Sequence, residues 1–307
     1  MEHFQNDRND SKVFHVKKVG DGKPVVFLPA AGFSGLEGMN IAERLRPAFQ
    51  THLVDLPGYG QSEGINKKCT TQRLADWLKE YLDQEKIDCA DIVAHSLGGA
   101  IALSLSVHYP ERVKQLILLD SGHKPYPRIP FQEFGPFALL FPLLNVGYHL
   151  FGISFMARLA GLFSGNSAES ENKEEEIERF CHTVGIDNSV YVQEALRHPP
   201  KMTASGMNLL FGYYNMNLPE LVKKLELPTY LIYGTFADRD KKQYRLTKKS
   251  IERLQHHKQL PVEYLPVNSG HYVHWSSEEV VDKLARILDQ PSNREDKGNQ
   301  RMLYGSN

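Results

Sequence analysis

The chain has 307 residues, of which 41% are hydrophobic and 24% are charged, a composition typical of soluble globular proteins. This length suits one large domain with an insertion, or two modest domains. The formal net charge is -1 and no dense basic block occurs, which argues against a nucleic-acid-binding protein. Three widely separated cysteines without a C-x-x-C spacing argue against a disulfide scaffold and a zinc site.

The apolar runs predict strands that alternate with helices. Strands are predicted in KPVVFLPAAGFSG (23–35), THLVDLPGYGQS (51–62), DIVAHS (91–96), VKQLILLDSG (113–122), LPTYLIYGT (227–235) and VEYLPV (262–267). Helices are predicted in TTQRLADWLKEYLDQEKI (70–87), in LGGAIALSLSVHYP (97–110), between the last two strands, and in SSEEVVDKLARILDQ (276–290). Strands without polar alternation, separated by helices, indicate an α/β fold with a mostly parallel sheet covered on both faces.

The stretch between residues 123 and 217 breaks this alternation, because its pattern is helical and aromatic throughout. We predict that residues 123–217 form a helical cap, or lid, inserted between two parts of an α/β core, residues 1–122 and 218–290. The polar residues 291–307 are predicted to be a mobile tail.

Two segments bear on the predicted cellular location of the protein. The N-terminal residues MEHFQNDRNDSK lack the apolar core of a signal peptide, so we expect a cytoplasmic protein. Residues 134–157 contain no Asp, Glu, Lys or Arg and are long enough to span a bilayer. Prolines and polar residues interrupt them, however, and they lie between segments of one predicted sheet. We therefore favour an apolar lid in transient contact with lipid over a spanning helix.

Ser96 lies at a predicted strand-to-helix junction, in DIVAHSLGGAIAL (91–103). A sharp turn of this kind lifts a serine out of the sheet, and the unpaired N–H groups at the start of the helix favour an oxyanion. A serine hydroxyl becomes a nucleophile only when an oriented base removes its proton. Otherwise Ser96 would simply cap a helix, so the hypothesis depends on partners elsewhere in the chain.

The base is expected on a loop late in the chain. His271 follows the strand VEYLPV and the turn NSG, which places it at the carboxyl edge of the sheet, where Ser96 also emerges. His274 is the nearest rival. His95 should point to the other side of its strand, and we interpret it as a residue that packs behind the site or contacts substrate.

The acid that orients the base is expected after the strand TYLIYG, where Asp238 and Asp240 are both available. Asp238 is the first choice because it lies closer to the strand end. Asp120, at the end of the strand LILLD, is an alternative that can reach the same histidine. Two N–H donors are needed for an oxyanion hole, and the backbone groups of Leu97 and Ala31 are the candidates.

These motifs resemble those of the α/β-hydrolase fold family, specifically its cap-bearing serine hydrolases of the esterase or lipase type. The resemblance covers roughly residues 13–122 and 218–290. It is carried by the chain order Ser, Asp, His and by VVFLPAAGFSG, DLPGYGQS, AHSLGG and NSGHYVHWSSEE. It implies an eight-strand-type core, a Ser96–Asp238–His271 triad, and neither a metal nor an organic cofactor.

The chain departs from the family pattern in three places. Pro29 and Ala30 stand where many members have His-Gly, and Ala94 stands where the nucleophile turn usually has its first glycine. Ala237 occupies the position after the strand where members commonly place the acid, one residue before Asp238.

The resemblance implies hydrolysis of a carboxylic ester of a small or medium apolar substrate through an acyl-enzyme. Phe33, Phe137 and Phe141 are interpreted as walls of an apolar pocket, although such residues could equally form the cap's own core. The same triad would also serve a carbon–carbon bond hydrolase, an amidase or a lipase. A non-hydrolytic ligand receptor or regulatory protein is the alternative from another class.

Overall fold

A single sheet organises the part of the chain that the computed structural model describes, namely residues 12–163, 172–197, 199–200 and 203–290. Its strand order is β1-β3-β2-β4-β5-β6-β7. The strands are β1 (Val16–Val19), β2 (Lys23–Leu28), β3 (Phe49–Val54), β4 (Ala90–His95), β5 (Val113–Leu119), β6 (Thr229–Gly234) and β7 (Val262–Val267). Only the β1–β3 pair in this sheet is antiparallel.

The predicted α/β class and mostly parallel sheet are therefore confirmed. The described residues form seven strands, one fewer than the expected eight. The short edge strand β1 was not predicted, because VKKV is too short and too polar to stand out as a strand. Its hydrogen bonds to β3 stabilise it instead.

Helices cover both faces of the sheet and bury two separate cores. One face packs against α2 (Thr71–Gln84), α3 (Leu97–His108), α9 (Leu218–Val222) and α10 (Lys241–Gln255). The other face packs against α1 (Met39–Leu45) and α11 (Glu278–Asp289). Successive residues of β4 alternate between these cores, since Ile92 and Ala94 belong to the first and Val93 to the second. This explains why the central strands are apolar on both faces.

Helix α3 lies against the middle of the sheet and is buried for nearly its whole length. A Cβ atom on Gly98 would lie 2.4 Å from the Leu28 carbonyl oxygen, and one on Gly99 would lie 2.1 Å from Ser121 Oγ. Both glycines are thus needed for the close approach of the helix to the strand ends. The buried hydroxyl of Ser104 donates to the Ala100 carbonyl at 2.6 Å, so its burial carries little penalty.

The stretch between β5 and β6 is helical, as its sequence pattern predicts. It contains α4 (Phe131–Phe134), α5 (Phe141–Phe163), α6 (Lys173–Val184), α7 (Val190–Arg197) and α8 (Ala204–Tyr214). Helix α5 packs on α8 through stacked rings of Phe141 and Phe211, whose centroids lie 5.4 Å apart. The role of residues 123–217 as a cap stays a prediction. The predicted tail at 291–307 lies outside the described residues.

The helical stretch Gly135–Ala160 has 26 residues with a mean hydropathy of 1.5, long and apolar enough to cross a membrane by length and composition. Only 17% of its most apolar part is buried. Gly152 interrupts the helix with φ 58° and ψ -137°, and the first half is tied to α8 by a hydrogen bond of 2.9 Å from the Tyr148 hydroxyl to Asn208 Oδ1. These features argue against one straight spanning helix, and the apolar lid stays a prediction.

Replacing Gly98 by alanine tests the close contact between α3 and the end of β2. We expect Gly98→Ala to lower the free energy of unfolding by about 1–3 kcal/mol, because the added methyl group forces backbone apart in a packed core. Thermal and urea unfolding would measure the change. Lys248→Ala, at an exposed position of α10, is the control and should change stability by about 0.5 kcal/mol or less. Equal stability of the two variants would contradict the contact.

Candidate active site

Ser96 occupies the turn between β4 and α3 in a conformation that few residues other than glycine adopt, with φ 48° and ψ -113°. Such a conformation costs of order 1–3 kcal/mol and persists only where the surroundings hold it. Here the Ser96 N–H donates to the Leu119 carbonyl at 3.3 Å, and Ser121 Oγ donates to the Ser96 carbonyl at 2.7 Å. The strained turn therefore has the geometry of a nucleophile elbow. Ala94 is completely buried within it, in register with Leu118 of β5.

His271 lies beside this turn. Its ring centroid is 4.6 Å from that of His95, the residue before Ser96, and its carbonyl oxygen lies 3.1 Å from His95 Nε2. Within the described residues no hydrogen bond involves Ser96 Oγ. Catalytic hydrogen bonds are often long or poorly aligned before substrate binds.

The acid that contacts His271 is Asp120, directly after β5. Its Oδ2 lies 2.6 Å from His271 Nδ1, and its Oδ1 accepts a hydrogen bond of 3.2 Å from the Gly234 N–H at the end of β6. A carboxylate can only accept hydrogen bonds, so Nδ1 of His271 carries the proton. Nε2 is then left unprotonated on the neutral ring and is available to take a proton.

The environment of Asp120 favours its charged form. Burial alone would raise the pKa of this carboxyl group, but the positive charge of Lys124 and the hydrogen bond from His271 outweigh burial and hold the pKa well below its usual value. Asp120 is therefore ionised throughout the neutral range and can stabilise positive charge on the His271 ring.

Asp238, the first choice from the sequence, does not contact His271. The prediction is corrected here, since the hydrogen-bond partner of His271 is Asp120. Asp238 is exposed, and its Oδ2 accepts from Asn268 Nδ2 at 2.7 Å. Asp240 caps α10 by accepting from the backbone N–H groups of Lys242 and Gln243. The strand-end position of Asp120 is the sequence signal that identified it as an alternative.

The candidate oxyanion donors lie on two segments that are bonded to each other. The Gly98 N–H donates to the Pro29 carbonyl at 3.0 Å, which fixes the loop after β2 against the first turn of α3. This bond uses the N–H of Gly98, and the Leu97 N–H stays the candidate donor on the helix. Ala31 is exposed on the facing loop, and the neighbouring Ala30 N–H is held at 2.6 Å by Glu37 Oε2. Pro29 and Ala30 thus form an anchored loop despite their departure from His-Gly.

A group of completely buried polar side chains lies behind the site. One of them, Glu37, was not predicted from the sequence. Glu37 Oε1 lies 2.6 Å from His95 Nδ1 and 3.8 Å from His274 Nε2. The potential ligand atoms of these three residues all lie within 4.8 Å of one another. His95 and His274 are both completely buried, whereas 37% of the His271 side chain is exposed. Burial and the positive charge of His95 also hold the pKa of His274 well below its usual value.

The three candidate pocket phenylalanines pack into two apolar clusters. Phe33 makes edge contacts with Tyr272 and Trp275, at centroid distances of 5.8 and 5.5 Å. Phe137 meets Phe141, which is itself buried within the inserted helices. The last two therefore contribute to the core of that segment, the alternative interpretation of these residues. Contact of any of the three with substrate stays a prediction.

Several known proteins are similar to this chain. Residues 25–283 match the model of the alpha/beta hydrolase family. A pimeloyl-(acyl-carrier protein) methyl ester esterase of Vibrio vulnificus is 33% identical over 110 residues, which cover 36% of this chain and only 41% of that protein. A 2-hydroxy-6-oxononadienedioate/2-hydroxy-6-oxononatrienedioate hydrolase of a Pseudomonas species is 25% identical over 72% of this chain and 74% of its own.

Among solved structures, a thermophilic esterase from Thermogutta terrifontis matches with a TM-score of 0.61 and 17% identity, over 90% of this chain and 93% of that one. At this identity the likeness shows the fold alone. The family match, in contrast, spans most of the chain and includes the elbow, Asp120 and His271. The chain therefore belongs to the alpha/beta hydrolase family.

Proposed function

We propose that this protein is a serine hydrolase that cleaves a carboxylic ester of a small or medium apolar substrate through an acyl-enzyme intermediate. The observation that carries the proposal is the 2.6 Å contact between His271 Nδ1 and the buried Asp120 carboxylate, beside the strained turn at Ser96. A nucleophile candidate, a base in the required tautomer and an ionised acid meet at one sheet edge.

The reaction follows from these positions. Ser96 Oγ attacks the carbonyl carbon while His271 Nε2 takes its proton, and Asp120 stabilises the imidazolium that forms. The N–H groups of Leu97 and Ala31 stabilise the negative oxygen of the tetrahedral intermediate. As the intermediate collapses, His271 returns the proton to the leaving alcohol. His271 then activates a water molecule, which releases the acid and restores Ser96.

Two relatives support different substrates for this machinery. The esterase of Vibrio vulnificus favours an ester, in line with the apolar aromatic character of the inserted helices. The Pseudomonas hydrolase, whose name gives a hydroxy-oxo-dienedioate as substrate, favours a dienone-type substrate as the second candidate. Both would use Ser96, His271 and Asp120.

A substrate panel and an active-site probe test the proposal together. We expect a fluorophosphonate to modify Ser96 stoichiometrically, and p-nitrophenyl esters of short to medium chain length to be hydrolysed. Ser96→Ala should abolish labelling and lower kcat on the order of 10⁶-fold. If Ser96 is labelled and the protein turns over a dienone but no ester, the dienone-type substrate would replace the ester as the proposed substrate. An inert Ser96 would overturn the enzyme proposal in favour of a ligand receptor.

The choice of acid is tested by a pair of isosteric variants. Asp120→Asn should lower kcat/KM on the order of 10⁴-fold, because an amide cannot hold His271 in the required tautomer or stabilise its cation. Asp238→Asn, the matched control at an exposed position, should stay within about twofold of the parent protein. The assay is hydrolysis of the best p-nitrophenyl ester. The reverse order of effects would restore Asp238 as the acid.

We further propose that helix α5 docks on the surface of an anionic lipid bilayer, the transient lipid contact expected for the lid. Its exposed face carries a stripe of large apolar side chains at helical spacing, namely Leu143, Val146 and Leu150, and the exposed Leu139 lies just before the helix in the 3₁₀ turn Gly135–Leu140. Leu143 is 70% exposed and Leu150 69% exposed, while the opposite face packs on α8. A helix that is apolar all round needs an apolar environment on both sides.

Positively charged side chains around this stripe favour anionic lipid as its partner. Lys68 Nζ lies 2.6 Å from Nδ1 of His149 on α5. Arg158 is exposed further along α5, beyond the kink at Gly152. Arg128 is exposed next to Ile129, another exposed apolar residue. Cations around an apolar stripe match an interfacial helix on anionic phospholipid. Cytoplasmic residence of the protein stays a prediction.

Vesicle sedimentation tests this surface. The protein should bind phosphatidylcholine vesicles that contain phosphatidylserine, and bind pure phosphatidylcholine vesicles more weakly. Leu143→Ser combined with Leu150→Ser should weaken binding by about tenfold or more, because two large apolar side chains leave the interface. Leu246→Ser, at an exposed apolar position of α10, is the matched control and should bind normally. Absence of vesicle binding, with a dimer that the double variant dissociates, would assign the stripe to a second copy instead.

A further inference from the structure

Glu37 and His95 form a buried pair beneath the candidate active site. Both side chains are completely buried, and the carboxylate oxygen lies 2.6 Å from His95 Nδ1. Glu37 lies on the short 3₁₀ helix Gly35–Gly38, whereas His95 ends β4. A carboxylate is costly to bury unless it is fully hydrogen-bonded, so this pair needs an explanation beyond packing.

Each end of the pair binds backbone of the candidate catalytic machinery. Glu37 Oε2 accepts from the Ala30 N–H at 2.6 Å, next to the candidate oxyanion donor Ala31. His95 Nε2 lies 3.1 Å from the carbonyl oxygen of His271, and His95 itself precedes Ser96. One chain of hydrogen bonds therefore joins the oxyanion loop, the elbow and the loop of the base.

The protons on His95 follow from its two partners. The His271 carbonyl can only accept, so Nε2 of His95 carries a proton. Burial alone would lower the pKa of His95, but the charge and hydrogen bond of Glu37 outweigh it and hold the pKa above its usual value. The Glu37 carboxylate 2.6 Å from Nδ1 can likewise only accept, so Nδ1 carries a proton as well and the imidazolium donates at both ends. Charge-assisted hydrogen bonds are short and directional, which suits them to fixing loops.

We propose that Glu37 and His95 are positioning residues, which hold the Ala30–Ala31 loop and the His271 loop in fixed places relative to Ser96. This proposal rests on the serine hydrolase function proposed above. It accounts for an anchored oxyanion loop in a chain that lacks the usual His-Gly there. Because the pair touches neither substrate nor reacting atoms, its loss should change the rate of the chemical step rather than substrate binding.

A metal ion is the competing role for these side chains together with His274. Two ligand atoms around tetrahedral zinc lie about 3.3 Å apart, given metal–ligand distances of about 2.0–2.2 Å. Glu37 Oε1 and His95 Nδ1 are closer than this, at the 2.6 Å of a charge-assisted hydrogen bond. The geometry therefore favours the positioning role.

Two variants and a matched control test the pair. Glu37→Gln removes an acceptor, so that the Ala30 N–H and His95 Nδ1 can no longer both be satisfied. His95→Asn keeps a donor for Glu37 but loses the link to His271. Each should lower kcat for a p-nitrophenyl ester on the order of 100-fold, with KM within about twofold. His52→Asn, which truncates another buried histidine on β3, should lower the midpoint of thermal unfolding without lowering kcat.

An unchanged kcat in both variants, or an equal loss in His52→Asn, would overturn the positioning role. Stoichiometric zinc in the purified protein, lost together with activity in Glu37→Gln, would replace the positioning role by a metal site.

A second measurement, the proton NMR signal of His271 Nδ1–H recorded without substrate, separates this proposal from the proposed function. If that signal moves in Glu37→Gln and His95→Asn although the parent protein hydrolyses no ester, positioning stands and the proposed function fails. An unmoved signal overturns positioning.

Discussion

The buried carboxylate of Asp120 requires several parts of the chain to be in place at once. Its side chain is almost completely buried, so its charge must be compensated by hydrogen bonds and by a nearby cation. The compensation comes from the Gly234 N–H at the end of β6, from His271 on the loop after β7, and from Lys124. A slip in the pairing of β5, β6 or β7 would leave this charge unpaired. The register of half the sheet and the geometry of the candidate site therefore depend on one another.

Two buried acids act on His271 from different sides. Asp120 binds the ring directly and sets its tautomer, whereas Glu37 acts through His95 on the backbone carbonyl of the same residue. Orientation of the ring and placement of the loop are thus separate constraints. The first depends on the order of β5, β6 and β7. The second depends on the 3₁₀ turn after β2, which lies on the other side of the elbow.

Local sequence signals predicted most of the fold and part of the site. Ser96 and His271 follow apolar strands, and the carboxyl ends of parallel strands share one edge, so their proximity could be inferred. The choice of acid could not be, because Asp120 and Asp238 both follow central strands. What separates them is the direction of the short loop after β6, where Phe236 has φ 59° and Asp238 faces solvent. Glu37 was missed because burial of a lone carboxylate in GLEG is a tertiary property without a local signal.

The inserted helices show the same limit of prediction from local sequence. Their apolar composition predicted helices, but it could not separate residues that form a core from residues that remain exposed. Along α5 each residue turns the side chain by about 100°, so Phe141 and Tyr148 meet α8 while Leu143 and Leu150 point away from it. Where both faces of a helix are apolar, hydrophobic periodicity carries no information about which face packs inward. Two contacts with α8 determine which face of α5 packs inward. The ring of Phe211 stacks on Phe141, and the side-chain amide oxygen of Asn208 accepts a hydrogen bond from the Tyr148 hydroxyl.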